Sequence, residues 1–508
     1  MSSTSADRLT KLPGEILREI IVQLETKSSI DRLLEAYPSK LKLYSSYGRG
    51  ILESILTNLF ADDVEGNIRK DVLAIIEFPK PKEKGENDYY RRQNRHINLK
   101  EWQWPDWPQS PDIRYLQQVH RLLSRIIEFI EDYISKATSE YPPRAYLGLP
   151  DLKTGKTSFT GSLLETRFIP FASLTHSERY RLLRAFVRYE LLCEIHSTRN
   201  DRWNVPDEFR DFNAFGTPNA PDPKALLSVH EYYTALYGAV FAHCGDAWLP
   251  DLPSPLSAEK ATNASTIGYR PLHFPDNLFF DGQEYYEDLK ISSHYIAAEL
   301  AGCGLDLLTR VLSCMEGHLA RERYIKGWLE DLTDEQTYEF ESWMKSQYDP
   351  RHDKEYSAYR ELIESSSFSN ELPENAEGVK RINEYLFGDG STTWLPRWAK
   401  AHKLQIRIYQ QRAWGLFDDQ RFYPNCHFPS LESLVKLQGK DSIGSLEIDK
   451  ERRKRRSKLW QDYWAGRADE PVSLTYVSRP KLRFFDDTVA PRDLPRIRIN
   501  YPTPDPLG

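Results

Sequence analysis

The sequence predicts a mainly α-helical protein with few short strands, in which an N-terminal three-helix module is followed by a large, non-repetitive helical domain. Three observations lead there. Apolar residues recur at helical spacing over long stretches, above all Ile113, Leu116, Val119, Leu123, Ile126, Ile127, Ile130 and Ile134 on one face of about six turns. No self-similarity at a fixed period is present, so solenoid and propeller architectures are not indicated. Strand-like composition is confined to Gln405-Ile406-Arg407-Ile408-Tyr409 and Leu482-Arg483-Phe484-Phe485, which lack the alternation that builds a sheet.

In chain order, residues 1–7 read as a disordered N-terminus and residues 8–58 as the small module. Leu12-Pro13-Gly14-Glu15-Ile16-Leu17 opens its first helix: Pro13 suits a first turn, where its missing N–H has no intrahelical partner, and Glu15 complements the positive end of the helix dipole. Ile16, Leu17, Ile20, Ile21 and Leu24 form a continuous apolar stripe that needs a cover. Ser28 and Ser29 offer N-caps for a second helix carrying Ile30, Leu33 and Leu34, which Pro38 ends. Ile51, Leu52, Ile55 and Leu56 belong to a third. So small a module has little interior and is marginally stable alone, which predicts a partner.

Residues 59–112 mix charge with Pro and read as a linker or surface excursion, with Trp102, Trp104 and Trp107 packing on the larger domain. Residues 113–508 form the helical domain. After its first long helix, Thr175 and Glu178 make a capping box that opens a second, buried through Leu182, Leu183, Phe186, Tyr189 and Leu192. Residues 226–244, 291–315 and 335–348 read as further helices, separated by irregular stretches at 200–224 and 249–290. Trp414-Gly415-Leu416-Phe417-Asp418-Asp419 through Arg421 resembles a phrase in large fungal proteins and reads as a structural helix.

The N-terminal module resembles an F-box. The resemblance rests on Leu12, Pro13, Glu15, Ile16, Leu17, Ile20 and Leu24, with Ile30, Leu33 and Leu34 at the expected distance. Leu33-Leu34-Glu35-Ala36-Tyr37-Pro38 followed by Ile51-Leu52 is similar to the variant common in filamentous fungi. It departs from the animal pattern in lacking a Trp near the end of the third helix. The resemblance implies a surface formed by Leu12, Pro13, Ile16, Leu17, Ile20, Leu24, Ile30, Leu33 and Leu34 that docks on the Skp adaptor. Through the adaptor it implies a cullin and a RING subunit of an SCF-type ubiquitin ligase. The 113–508 domain would then hold an unidentified protein substrate, with no catalytic residue of its own. Two other functions remain open: an adaptor-binding protein with a structural or trafficking role, and an enzyme with its site in the helical domain.

The net charge of −7 on 508 residues makes no electrostatic case for nucleic acid or an anionic membrane as principal partner. No apolar run approaches the length that spans a bilayer, and the start lacks the regions of a signal peptide, so an intracellular protein, cytoplasmic or nuclear, is expected. Five widely spaced cysteines argue for reduced thiols rather than a disulfide framework or zinc site. Gly155-Lys156-Thr157 lacks the upstream glycine of a phosphate loop, since residue 150 is Pro, and reads as a plain loop. Arg452, Arg453, Lys454, Arg455 and Arg456 form a basic run readable as a nuclear import signal or as a solvated helical face. Acidic doublets such as Asp62-Asp63 read as solvated. No cofactor or metal is called for: there is no HExxH pair and no GxSxG elbow.

Overall fold

The computed structural model describes residues 12–38, 41–77, 107–152, 154–160, 162–164, 166–196, 223–245, 247–249, 279–282, 297, 300–315, 325–329, 404–405, 407–413 and 415–417. The expectations for residues 1–7, for Trp102 and Trp104, for 200–222 and most of 249–290, for 335–348, for Trp414, Asp418 and Asp419, for Leu482 and for the basic run 452–456 lie outside the described residues.

The described part is mostly helical: α1 (Gly14–Gln23), α2 (Lys27–Ala36), α3 (Leu41–Leu59), α4 (Asn67–Glu77), α5 (Ile113–Ala137), α6 (Pro142–Leu147), α7 (His176–His196), α8 (Pro223–Cys244) and α9 (Gly304–Met315). Three short antiparallel strands, β1 (Leu149–Pro150), β2 (Thr157–Phe159) and β3 (Ser162–Leu163), pair in the order β1-β2-β3, with Leu149 opposite Ser158 and Ser158 opposite Leu163.

Local signals set the starts of α2, α5 and α7. Thr26, rather than Ser28 or Ser29, caps α2, because its Oγ1 accepts the Ser29 N–H. Asp112 accepts the Tyr115 N–H at 2.7 Å and starts α5. The expected capping box opens α7: the Thr175 N–H donates to Glu178 at 2.8 Å, and the Glu178 N–H donates to Thr175 Oγ1 at 3.3 Å.

Helix α5 is the axis of the fold. Its predicted apolar face is buried from Leu116 through Ile134, whereas Ile113 at its start is exposed. Its second half is buried all round, through Phe129, Ile130, Tyr133 and Ile134. Helices α2, α3, α4, α6 and α7 pack directly on it. Aromatic rings fill the centre where α5, α7 and α8 meet. Tyr133 and Tyr232 lie 4.7 Å apart between centroids, Tyr189 meets Tyr233 edge-on at 5.2 Å, and Phe186 meets both Tyr232 and Tyr233 at 6.0 Å. Such pairs contribute roughly 0.5–1.5 kcal/mol each beyond their buried area.

The stretch expected as a linker departs from that reading. Helix α4 packs along α7 and buries Ile68, Val72, Leu73 and Ala74, while its Asp71 pairs with Arg188 at 2.9 Å. Asp63 is buried rather than solvated and accepts the Arg69 N–H at 2.9 Å, which fixes the start of α4. Trp107 packs as expected, edge-on between Phe60 and Tyr115. One continuous apolar core therefore joins Leu17 of α1 to Phe417. Much of the cover that the small module needs comes from its own chain.

Two further expectations give way to tertiary contacts. The helix expected over 291–315 is interrupted at residues 302–303, and α9 begins at Gly304 with φ +76°. A Cβ there would sit 3.0 Å from both Cys193 Cβ and Glu190 Oε2, so the approach of α7 requires glycine. Gln405 and residues Arg407 to Gln411 are helical, not extended. The Gln411 amide bridges Phe280 N–H at 3.0 Å and Phe280 C=O at 2.7 Å. Ala413 follows at φ 51°, a left-handed end to this short helix.

Gly238 of α8 and Gly282 meet backbone to backbone, since a Cβ on Gly238 would lie 2.7 Å from Gly282 Cα. Gly238→Ala is expected to lower stability by about 1–3 kcal/mol, the usual effect of overpacking a core. A shift of the urea midpoint without a change of slope is the measurement that checks it.

Candidate functional site

The surface singled out by the sequence lies on α1. Pro13 occupies the N-cap position, one residue before the first helical turn, and its carbonyl accepts the Leu17 N–H at 3.1 Å. Pro13 is exposed and Ile16 is 49% exposed, while Leu12, Ile20 and Leu24 are half-buried. Together they form an apolar edge bordered by the exposed Glu15, Glu19 and Gln23. The opposite face, Leu17, Ile21 and Val22, is buried in the chain's own core. Ile30 of α2 is also buried, and Leu33 and Leu34, like Leu24, are half-buried against the same core. Of the nine residues in the implied docking set, Leu17 and Ile30 are therefore committed to the interior. The outer edge of α1 is where the accessible apolar surface lies.

A set of polar contacts holds this edge in place. The chain turns from α1 to α2 through Leu24, Glu25 and Thr26, with Glu25 in the left-handed region at φ 57°. Three groups on other helices seize this corner. His120 Nε2 of α5 donates to the Glu25 carbonyl at 2.9 Å, which fixes the Nε2–H tautomer if the ring is neutral. Burial lowers the pKa of that ring below the ordinary histidine value, favouring the neutral form. Ser124 Oγ accepts the Lys27 N–H at 2.9 Å, and Arg179 of α7 reaches the Glu25 carboxylate at 3.3 Å. On the other side Arg18 donates to Ser54 Oγ of α3 at 3.2 Å. The contacts of Glu25 and Lys27 with α5 and α7 span 95 to 154 positions of sequence, and no local pattern announced them.

A second polar group lies deep in the body. Lys136 donates to Asp132 at 2.6 Å one helical turn away, and Tyr232 OH donates to the same carboxylate oxygen at 2.7 Å. Burial depresses the pKa of Lys136, opposed by the charge of Asp132. Glu231 of α8 binds Arg407 at 3.2 Å and the Gln411 amide at 3.0 Å. Glu190 accepts the Leu305 N–H at 2.9 Å and so caps α9, and burial pushes its carboxyl up to about 8. Glu131 accepts the Phe171 N–H at 2.9 Å and is pushed up to about 7, again chiefly by burial. His230 and His243 are pushed down to about 4 by burial. Lys136, Glu190 and Glu231 are each less than a tenth exposed, and their polar atoms meet other parts of the chain. They act as interior fasteners.

A pocket between Leu59, Asp62, Phe171, Arg179 and Leu183 has a volume of about 10 Å³, room for a single water. Gly155 and Lys156 lie in the turn of the β1–β2 hairpin and Thr157 opens β2; Arg32 of α2 donates to the neighbouring Thr154 carbonyl at 3.1 Å. Asp62 pairs with His176 at 2.9 Å. Cys193, Cys244, Cys303 and Cys314 are free thiols. Among the described residues no group of three or more His, Cys, Asp or Glu is placed to hold a metal ion, and no helix is long and apolar enough to cross a membrane. No protein-family model, curated protein or solved structure matches the chain.

Glu190 gives the body a pH dependence with a defined sign. Its folded value of about 8 stands above the usual 4.5, so the folded chain keeps a proton that the unfolded chain releases above pH 4.5. Its contribution to stability is therefore full at low pH and lost as pH rises from 4.5 to 8. Glu190→Gln does not titrate. The stability of this variant relative to native is expected to increase by a few kcal/mol, on the order of 4, between pH 5 and pH 8. Chemical denaturation of both proteins at the two pH values gives the difference.

Proposed function

We propose that this chain is a non-catalytic substrate receptor of an SCF-type ubiquitin ligase, with the outer edge of α1 as the surface that docks on the Skp adaptor. The observation that carries the reading is the exposed apolar edge of Pro13 and Ile16, flanked by Leu12, Ile20 and Leu24, on a helix whose opposite face is anchored in the core. An apolar anchor raised on a rigid helix suits helix-in-groove recognition, because little ordering entropy is lost on binding. Cullin and RING subunits would be reached through the adaptor, and the body beyond α5 would hold an unidentified protein substrate. The mechanism is positional. Tethering the substrate near the ubiquitin donor raises its effective concentration, and the bond-making residues belong to other subunits.

Burial separates the two kinds of α1 residue in the test. Ile16→Asp is expected to weaken binding to a purified fungal Skp adaptor by roughly 30-fold or more, equivalent to about 2 kcal/mol, with an unchanged melting temperature. Leu17→Ala is expected to lower the stability of the chain by about 2–5 kcal/mol, since it opens a cavity in the core. Calorimetric titration and thermal denaturation read the two effects. A folded native protein that fails to bind the adaptor at any concentration reached would overturn the reading, and cullin in a native pull-down but not with Ile16→Asp would extend it to the ligase.

A further inference from the structure

Two corners of the N-terminal helices converge on one guanidinium. Arg179 lies in the first turn of α7, a platform locked by the Thr175–Glu178 capping box. Its NH1 reaches Glu25 Oε1 at 3.3 Å in the α1–α2 corner, and its NH2 lies 3.8 Å from Asp62 Oδ2 in the α3–α4 corner. His176 Nδ1 stands 3.4 Å from the same NH2, and the Phe171 ring lies beneath the guanidinium with its centroid 5.8 Å away. The side chains of Arg179 and Glu25 are 18% and 12% exposed, so that pair interacts with water largely excluded. Glu25 holds a left-handed backbone that a residue with a Cβ rarely adopts, which marks the α1–α2 corner as one held by its surroundings. Helices α1 and α3 pack on each other, so a group that grips both corners sets the direction of the pair relative to α7.

We propose that Arg179 is a positioning residue: by bridging Glu25 and Asp62 it fixes the orientation in which α1 presents its outer edge relative to the body. The purpose of that orientation rests on the docking reading above, but its measurement does not. Probes introduced as non-natural amino acids at Glu15 on α1 and Arg310 on α9, both exposed, leave the native cysteines untouched. Pulsed electron-spin distance measurement on the full chain then reports the spread of positions of α1 relative to α9 without any adaptor present.

Arg179→Met removes the charge and keeps an unbranched apolar side chain, whereas Arg179→Lys keeps a positive charge at the same position. The expected result is a distance distribution at least about twofold wider in Arg179→Met, restored towards native width in Arg179→Lys, as for a loosened hinge. Amide protection within α1 and α3 stays at its native level in both variants. A native-width distribution in Arg179→Met would overturn the proposal, because an uncharged side chain would then suffice. Loss of protection throughout α1 and α3 would also overturn it, since Arg179 would then be needed for folding rather than for direction. Failure of adaptor binding in the earlier titration changes neither outcome.

Discussion

Beyond Arg121, helix α5 is buried on nearly every side, and a buried helix segment has to find a partner inside the protein for each buried polar side chain it carries. That constraint organises the described part of the molecule. His120 and Ser124 are met by the α1–α2 corner, Glu131 by the Phe171 N–H, and Ser135 by the Ile169 N–H at 3.0 Å. Asp132 is met by its own Lys136 and by Tyr232 of α8. The apolar residues of α5 bring other elements close, while its polar residues specify which backbone atom or side chain arrives at each turn. A hydrophobic contact tolerates sliding, but an unmatched buried acceptor or charge is expensive enough to exclude neighbouring registers.

The same logic explains why the N-terminal helices are part of the body rather than a separate appended unit. Leu17, Ile21, Val22 and Ile30 are buried in the common core, each burial contributing roughly 1.5–3 kcal/mol, and α4 lies along α7 where a linker was expected. With those residues spent on the interior, the apolar surface that α1 leaves accessible is its outer edge, whose position is set from behind by α5 and α7. A rigid presentation of this kind favours affinity through reduced ordering cost.

The residues from Gln405 to Phe417 close the body from a distant part of the chain. Tyr133 OH donates to the Gln410 carbonyl at 2.6 Å, Tyr146 OH donates to the Gln411 carbonyl, and Arg181 donates to the Leu416 carbonyl at 3.1 Å. These carbonyls sit at or just beyond the end of a short helix, where side chains of α5, α6 and α7 supply donors, and the Gln410 carbonyl also accepts the Ala413 N–H at 3.1 Å. Arg407 reinforces the seat through Glu231 and lies over the Phe279 ring, 4.6 Å from its centroid. In the helical form the Arg407 and Gln411 side chains of this stretch meet Glu231 and Phe280.

Local sequence alone determined the helices whose signals are complete within one segment. The stripe from Leu116 to Ile134, the Thr175–Glu178 box and the helix ending at Cys244 are legible because periodicity and capping act over a few residues. The apolar edge at Pro13 and Ile16 was legible in the same way, as a stripe that had to face something. Tertiary structure alone decided which part of that stripe turns inward, since Leu17 and Ile16 are chemically alike and adjacent, and only the position of the core distinguishes them. It also decided that Asp63 caps α4, that Gly304 breaks a helix, and that Glu25, His120, Ser124 and Arg179 form one joint. Those residues carry ordinary polar side chains at unremarked positions. Their roles arise from contacts between segments far apart in the chain, which no periodicity encodes.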